Sequence, residues 1–382
     1  MKSATVVAGL GFGDEGKGMT TAFLTRQHAA KMVARYNGGA NAAHNVTSDD
    51  FRHHTFRQFG SGTFEGASTY LGRHVCFDPI EAWAEYKRLR LLGENPALIV
   101  HPQALVVTEY HKYTSLINAS IHKRGTTANG VGTTKRWAET HPDMALRVCD
   151  LINDPQRVYE KLQYLEARIC PVESFYREIG DDLIDALNNV VTAVSDESVL
   201  GGFDHVIFEG AQGALLDCDR GYRPYVTSSD TTFSGALEMI PSGTQVKRVG
   251  VTRIYATRHG VGPFPSESHM LDRKAIVERH NHDGLPELQG AWRVGWLDRK
   301  LLRYAADNIL GGIHEIALSH VDRFNPEQLW NVIDLRGTDR IGMKDYIEVH
   351  SLKSLVELIE VAAFAPVKIM GHGRRVCEWS RT

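Results

Sequence analysis

Ten residues near the start, Gly9-Leu10-Gly11-Phe12-Gly13-Asp14-Glu15-Gly16-Lys17-Gly18, restrict what this 382-residue chain can fold into. The apolar run at residues 4–8 predicts a buried strand, and residues 19–27 predict a helix. Strand, glycine loop and helix in that order let the backbone turn tightly, while the free N–H groups of the helix start favour an anion. Lys17 adds the positive charge that phosphate oxygens require. An ordinary phosphate loop, G-x-x-x-x-G-K-[ST], needs Ser or Thr at position 18, where this chain has Gly18. Asp14 puts a carboxylate where phosphate would sit, which points to a metal or a proton transfer.

The bulk composition, 42% hydrophobic and 23% charged with net charge −3, describes a globular enzyme with a large core. It gives no electrostatic case for a nucleic-acid or membrane partner. Five cysteines, widely spaced and without a C-x-x-C pair, fit a reduced cytoplasm and argue against a structural zinc site. No apolar stretch reaches the length of a membrane span, and the first strand leaves no room for a signal peptide, so the expected location is cytoplasmic. The eighteen histidines are scattered, and only His44 is singled out, because it closes a second small-residue loop, Asn37-Gly38-Gly39-Ala40-Asn41-Ala42-Ala43-His44-Asn45.

Further along, the pattern predicts a strand at 31–36, short strands and turns over 50–80, a helix at 79–92 and a strand at 97–100. A glycine- and hydroxyl-rich loop is expected at 124–136, and a helical insertion at about 154–196 with a break at Pro171. Strands at 204–208, 249–256, 315–319 and 366–370 each run into a loop: Glu209-Gly210-Ala211-Gln212-Gly213, Thr257-Arg258-His259-Gly260, His320-Val321-Asp322-Arg323 and Gly371-His372-Gly373. The segment 290–298 leads into a helix through about 310. Alternating strands and helices without repeat or linker predict one α/β domain over 1–382, a mainly parallel central sheet flanked by helices, with function on the loops after the strands.

Taken together, these loops resemble the adenylosuccinate synthetase family. The matching segments, in the family's order, are Gly13-Asp14-Glu15-Gly16-Lys17-Gly18, Asn41-Ala42-Ala43-His44, Gly125-Thr126-Thr127, Phe208-Glu209-Gly210-Ala211-Gln212-Gly213, Pro224-Tyr225-Val226-Thr227-Ser228-Ser229, Thr257-Arg258, Gly262-Pro263-Phe264-Pro265 and Gly295-Trp296-Leu297-Asp298. The resemblance implies a P-loop-related fold and a ligase that joins L-aspartate to the 6-position of inosine monophosphate, driven by GTP with Mg2+. It implies Asp14 as general base and metal ligand, His44 as acid, Lys17 as stabiliser of the phosphoryl group and Gln212 as the residue orienting the purine. Asn41, Thr126, Thr127 and Thr227 would hold the monophosphate. The triphosphate falls to Gly13, Glu15, Gly16, Gly18, Asn45 and Asp322, the metal also to Ala43, and aspartate to Thr257, Arg258 and Arg293. A homodimer is implied as well.

Three segments depart from the family pattern. The aspartate segment keeps only Arg293 of its arginines, so a dicarboxylate would need Arg258 or Arg299. The guanine-reading Thr-Lys-x-Asp turn is Ser319-His320-Val321-Asp322, which leaves GTP and ATP both open as donors. Asn129 stands where many members have arginine, and Asp143 falls near the place of the arginine that reaches a neighbouring subunit. A variant acting on (d)GMP, as in the viral enzymes similar to this family, is therefore the alternative. A non-catalytic nucleotide-binding paralogue is disfavoured by Asp14, Lys17, His44 and Gln212 together, and a GTPase switch by Gly18.

Overall fold

The first predicted strand is buried on both faces, as its unbroken apolar run requires of a strand inside a parallel sheet. In the computed structural model, residues 1–122, 125–169, 175–268, 271, 286–327, 330–335 and 344–382 are described. Ten strands form the central sheet: β1 (Ser3–Gly9), β2 (Met32–Arg35), β3 (Ser68–Leu71), β4 (Leu98–Val100), β5 (Ala193–Val194), β6 (His205–Gly213), β7 (Gln245–Arg253), β8 (Glu315–Ser319), β9 (Val367–Gly371) and β10 (Trp379–Arg381). Their order across the sheet is β10-β9-β8-β7-β1-β6-β2-β3-β4-β5. Every pairing is parallel except β9 with β10.

Side chains alternate across β1. Ala4, Val6 and Ala8 enter a core that also holds Trp296, Leu302 and Leu355, while Val7 packs on the other face with Leu24, Val249 and Ile369. Helix α1 (Lys17–Gln27) supplies Leu24 and follows the glycine loop directly. Helix α2 (Pro79–Leu91) begins where predicted: Asp78 accepts from the Glu81 N–H at 3.1 Å and Pro79 occupies the first turn. Helices α3 (Glu109–His122) and α4 (Val131–Thr140) come next, and the segment expected to be helical carries α5 (Pro155–Ile169) and α6 (Tyr176–Val190). Leu162, Leu183 and Leu187 of these helices share a core with Leu98 and Val100 of β4. Pro171 lies outside the described residues.

Four expectations need correction. Residues 209–213 continue strand β6 instead of leaving it as a loop. Their glycines mark close backbone approach: a Cβ on Gly213 would lie 2.2 Å from the Gly11 carbonyl oxygen, and one on Gly210 2.4 Å from the Tyr36 hydroxyl. Residues 131–136 are the start of α4, so the hydroxyl-rich loop ends at Gly130. Residues 257–259 are strand as well, since Ala256–His259 pairs antiparallel with Trp292–Gly295. The helix expected through residue 310 widens after one turn, from Arg299–Arg303 into a π-helical stretch at Tyr304–Ile309. Among the described residues no helix is long and apolar enough to cross a membrane.

Candidate active site

The order of the sheet places β1 between β6 and β7, so the loops leaving these three strands converge at their carboxyl ends, where open parallel sheets bind ligands. A cavity of about 960 Å³ opens there. Nine Lys and Arg side chains line it against four Asp and Glu, in a chain whose net charge is −3. That local excess of positive charge suits polyanionic ligands.

Within the glycine loop, Glu15 turns inward. Its Oε1 accepts from the N–H groups of Gly11 at 3.0 Å and Gly13 at 2.8 Å, and its Oε2 lies 2.5 Å from Nζ of Lys17. Both side chains are buried. The Glu15 carboxylate thus acts as the internal template of the loop and does not line the cavity, whereas Gly13, Gly16, Lys17 and Gly18 do. Asp14 sits at φ 60 and faces the cavity, with its Oδ2 2.7 Å from Nε2 of His259. Arg253 donates from Nε to the Asp14 carbonyl oxygen.

Position 18 has a steric reason to be glycine. A Cβ there would lie 2.9 Å from the His44 Cβ and 3.2 Å from the Asn45 carbonyl oxygen. Gly18→Ser, the change that would complete the ordinary phosphate loop, is expected to cost about 1–3 kcal/mol of stability through overpacking. Chemical denaturation measures it, and a neutral result would mean that His44 can move aside.

His44 is the histidine the sequence singles out, and a carboxylate that sequence reasoning left without a role orients it. Nδ1 of His44 lies 2.6 Å from Oε1 of Glu209, which is fully buried midway along β6. The same carboxylate accepts from the Ser61 hydroxyl and, at 3.0 Å, from the Ser61 N–H, with Arg35 Nε 3.9 Å away. Burial alone would raise the Glu209 carboxyl, but His44, Arg35 and Ser61 hold it well below the usual carboxylate range, at about 2. Burial in turn lowers the His44 imidazole, against the upward pull of Glu209. The signal for Glu209 was there to be read: an acidic residue inside an apolar strand requires a buried partner.

The cavity wall also carries unsatisfied polar atoms. Oδ1 of Asn41, both amide atoms of Gln212 and Nε of Arg258 are buried with no hydrogen-bond partner among the described residues. Such atoms are costly to leave unpaired, and all three residues line the cavity. Gln212 is held at φ 60, which turns it out of the strand. Arg258 stacks over the Phe12 ring at 4.3 Å, and burial, followed by the nearby Arg293, lowers its guanidinium to about 10.

Of the other predicted site residues, Ala43, Asn45, Thr126, Thr127, Thr227 and Asp322 all line the cavity. Thr257 and Arg293 do not. Arg293 donates to the carbonyls of Gly260 at 3.1 Å and Gly262 at 2.9 Å and pairs with Glu267 at 2.5 Å. Its guanidinium braces a loop, and Arg258 is the one that reaches the cavity. Arg299, also considered for a carboxylate, lies 3.6 Å from Asp334 instead. Asn129 donates to the Ala40 carbonyl at 2.9 Å and so ties the loop around Thr126 to the one before His44.

The family model for adenylosuccinate synthetase matches residues 6–329. The chain belongs to the adenylosuccinate synthetase family. The adenylosuccinate synthetase of Picrophilus torridus is 33% identical over 335 residues, spanning 83% of this chain and 76% of its own. That of Thermoplasma volcanium is 33% identical over 339 residues, with 83% and 75% covered. Two solved structures share the fold. Fully ligated adenylosuccinate synthetase from Plasmodium falciparum superposes with a TM-score of 0.82 at 21% identity, covering 99% of both chains. The succinoaminodeoxyadenylate synthetase of cyanophage S-2L, bound to dGMP and to dATP as energy donor, gives 0.71 at 19% identity, covering 100% of this chain and 96% of its own. As a member of this family the chain is a C–N ligase.

Proposed function

We propose that this synthetase joins L-aspartate to C6 of a 6-oxopurine nucleotide, with IMP as the first choice, driven by a purine nucleoside triphosphate. One observation carries the reading: a cavity-facing carboxylate, a loop lysine and a glutamate-oriented histidine share one positive cavity with the unsatisfied amides of Asn41 and Gln212. Asp14 takes the N1 proton of the purine, and O6 attacks the γ-phosphorus as the bond to the diphosphate breaks. Lys17 leaves Glu15 to meet the phosphoryl oxygens, and His44, held by Glu209, donates to the charge developing at O6. The aspartate amine then attacks C6, and the O6-phosphoryl group leaves as phosphate.

Gln212 and Asn41 gain partners on the purine nucleotide, and Thr126, Thr127 and Thr227 take its 5′-phosphate. Arg258, with a free Nε, takes an aspartate carboxylate. The partly exposed Asp14 carboxylate and the Ala43 carbonyl form an all-oxygen donor pair that fits Mg2+ beside triphosphate oxygens. When bound, the metal supplies charge neutralisation on the phosphates. A homodimer in the cytoplasm is proposed from family membership.

The test is to incubate the protein with Mg2+ and aspartate, with each of IMP, GMP and dGMP and each of GTP and ATP, and to weigh the products. The IMP arm is expected to give a product of adenylosuccinate mass. The altered donor turn, with Asp322 lining the cavity and Arg323 Nε 3.2 Å from it, makes both triphosphate arms necessary. No aspartate adduct in any arm would reject the reading.

A further inference from the structure

The turn that carries Asp14 is an unusual one. Asp14 has φ 60 between Gly13 at φ 94 and Gly16 at φ 99, and nothing lies within 4 Å of where a Gly13 side chain would begin. Arg253 fixes the Asp14 peptide by donating from Nε to its carbonyl oxygen. The carboxylate meets His259, whose Nε2 lies 2.7 Å from Oδ2, with both atoms shut off from solvent.

His259 is itself rigidly placed. It pairs with Trp292 across the short antiparallel ladder, and the next residue, Gly260, donates to the Ala291 carbonyl at 2.9 Å. Gly125, Gly260 and Gly290, all at positive φ, meet here: a Cβ on Gly260 would lie 2.3 Å from the Gln289 carbonyl oxygen, one on Gly125 3.0 Å from the same atom, and one on Gly290 2.8 Å from the Gly260 Cα. The Thr126 N–H also donates to the Leu288 carbonyl at 3.0 Å. Backbone packed this closely cannot shift in one strand without shifting the others. The loop bearing Thr126 and Thr127, the strand bearing Arg258 and the segment at 288–295 therefore move as a unit with His259.

We propose that His259 is a positioning residue: it holds the Asp14 carboxylate in line and couples it to the loops that take the purine phosphate and the amino acid. The inference rests on the reading of Asp14 as general base. Misplacing a catalytic group by about 1 Å can cost on the order of 100-fold, so His259→Ala should lower kcat by roughly 10–100-fold with little change in KM.

The experiment measures kcat and KM of the full chain for the parent, His259→Ala, His259→Asn and Asp14→Asn. Phosphoryl transfer alone is followed by positional isotope exchange of labelled triphosphate with the purine nucleotide and Mg2+, without aspartate. The expected result is an equal fractional loss in kcat and in isotope exchange for His259→Ala, unchanged melting, and partial recovery with free imidazole. Unchanged kcat, a rise in KM alone, or lost activity that tracks lost folding without imidazole recovery in both His259 variants would overturn it. If Asp14→Asn is inactive while the His259 variants match the parent, only this inference fails. If Asp14→Asn keeps its turnover, the base reading falls and takes this inference with it.

Discussion

Asp14→Asn is expected to lower turnover by roughly 10²–10⁴-fold while leaving nucleotide affinity within a few-fold of the parent. The amide keeps the volume and the turn, and asparagine tolerates the left-handed φ of 60 at this position, so the loop should hold. On the proposed reading it loses the ability to take the N1 proton, without which O6 stays a poor nucleophile. The loss corresponds to about 2.7–5.5 kcal/mol of transition-state stabilisation. Phosphate release gives kcat, and calorimetric titration with the purine nucleotide gives the affinity. A variant with near-parent kcat would remove Asp14 from the chemistry, and one with weakened binding alone would make it a binding residue.

The strand–loop–helix around Asp14 was legible because it is local: an apolar run, glycines and a helix start lie within thirty residues, and their order along the chain is their order in space. The helices at Pro155–Ile169 and Tyr176–Val190 and the parallel strands were legible for the same reason. Residues 209–213 and 257–259 read as loops because their glycines look like turn residues, yet Gly210 and Gly213 sit in strand β6 where Tyr36 and Gly11 press against them. That pressure comes from residues far away in sequence, which local patterning cannot register. The site followed the same rule. Asp14, Lys17, His44 and Gln212 stand out by type and loop, and the structure brings them to one cavity. The residues that aim them, Glu209 and His259, come from other strands. Arg293 misled because an arginine in a binding segment invites a carboxylate, while three neighbouring acceptors from the 260–267 loop had already taken it.

Glu209→Gln should damage stability and catalysis together, because one buried carboxylate serves both. Among the described residues Arg35, itself buried, would keep only the carbonyls of Arg57 at 3.2 Å and Phe59 at 3.3 Å, and losing one partner of a buried charge set costs about 3–5 kcal/mol. An amide at 209 can still accept from His44 Nδ1, but without a full negative charge it neither orients the ring as firmly nor supports positive charge on it. Turnover should therefore fall by roughly 10–100-fold, on the scale of losing a partner that orients a histidine. The pH dependence separates the two contributions. The Glu209 carboxyl is lowered in the folded protein to about 2, below its unfolded value of about 4.3, so its stabilisation is complete above about pH 4.3 and is lost as pH falls toward 2. His44 is also lowered when folded, so the unfolded chain binds more protons than the folded one below about pH 6.5, and stability falls with pH there. Removing Glu209 removes the upward pull on that imidazole, so the fall continues to lower pH in the variant. The stability gap between parent and variant should thus stay level from neutral pH, widen once the parent's folded His44 takes up its proton, and narrow again where the parent loses its own carboxylate. Urea denaturation across that range measures it, and a gap independent of pH would mean that Glu209 acts through packing and not through charge.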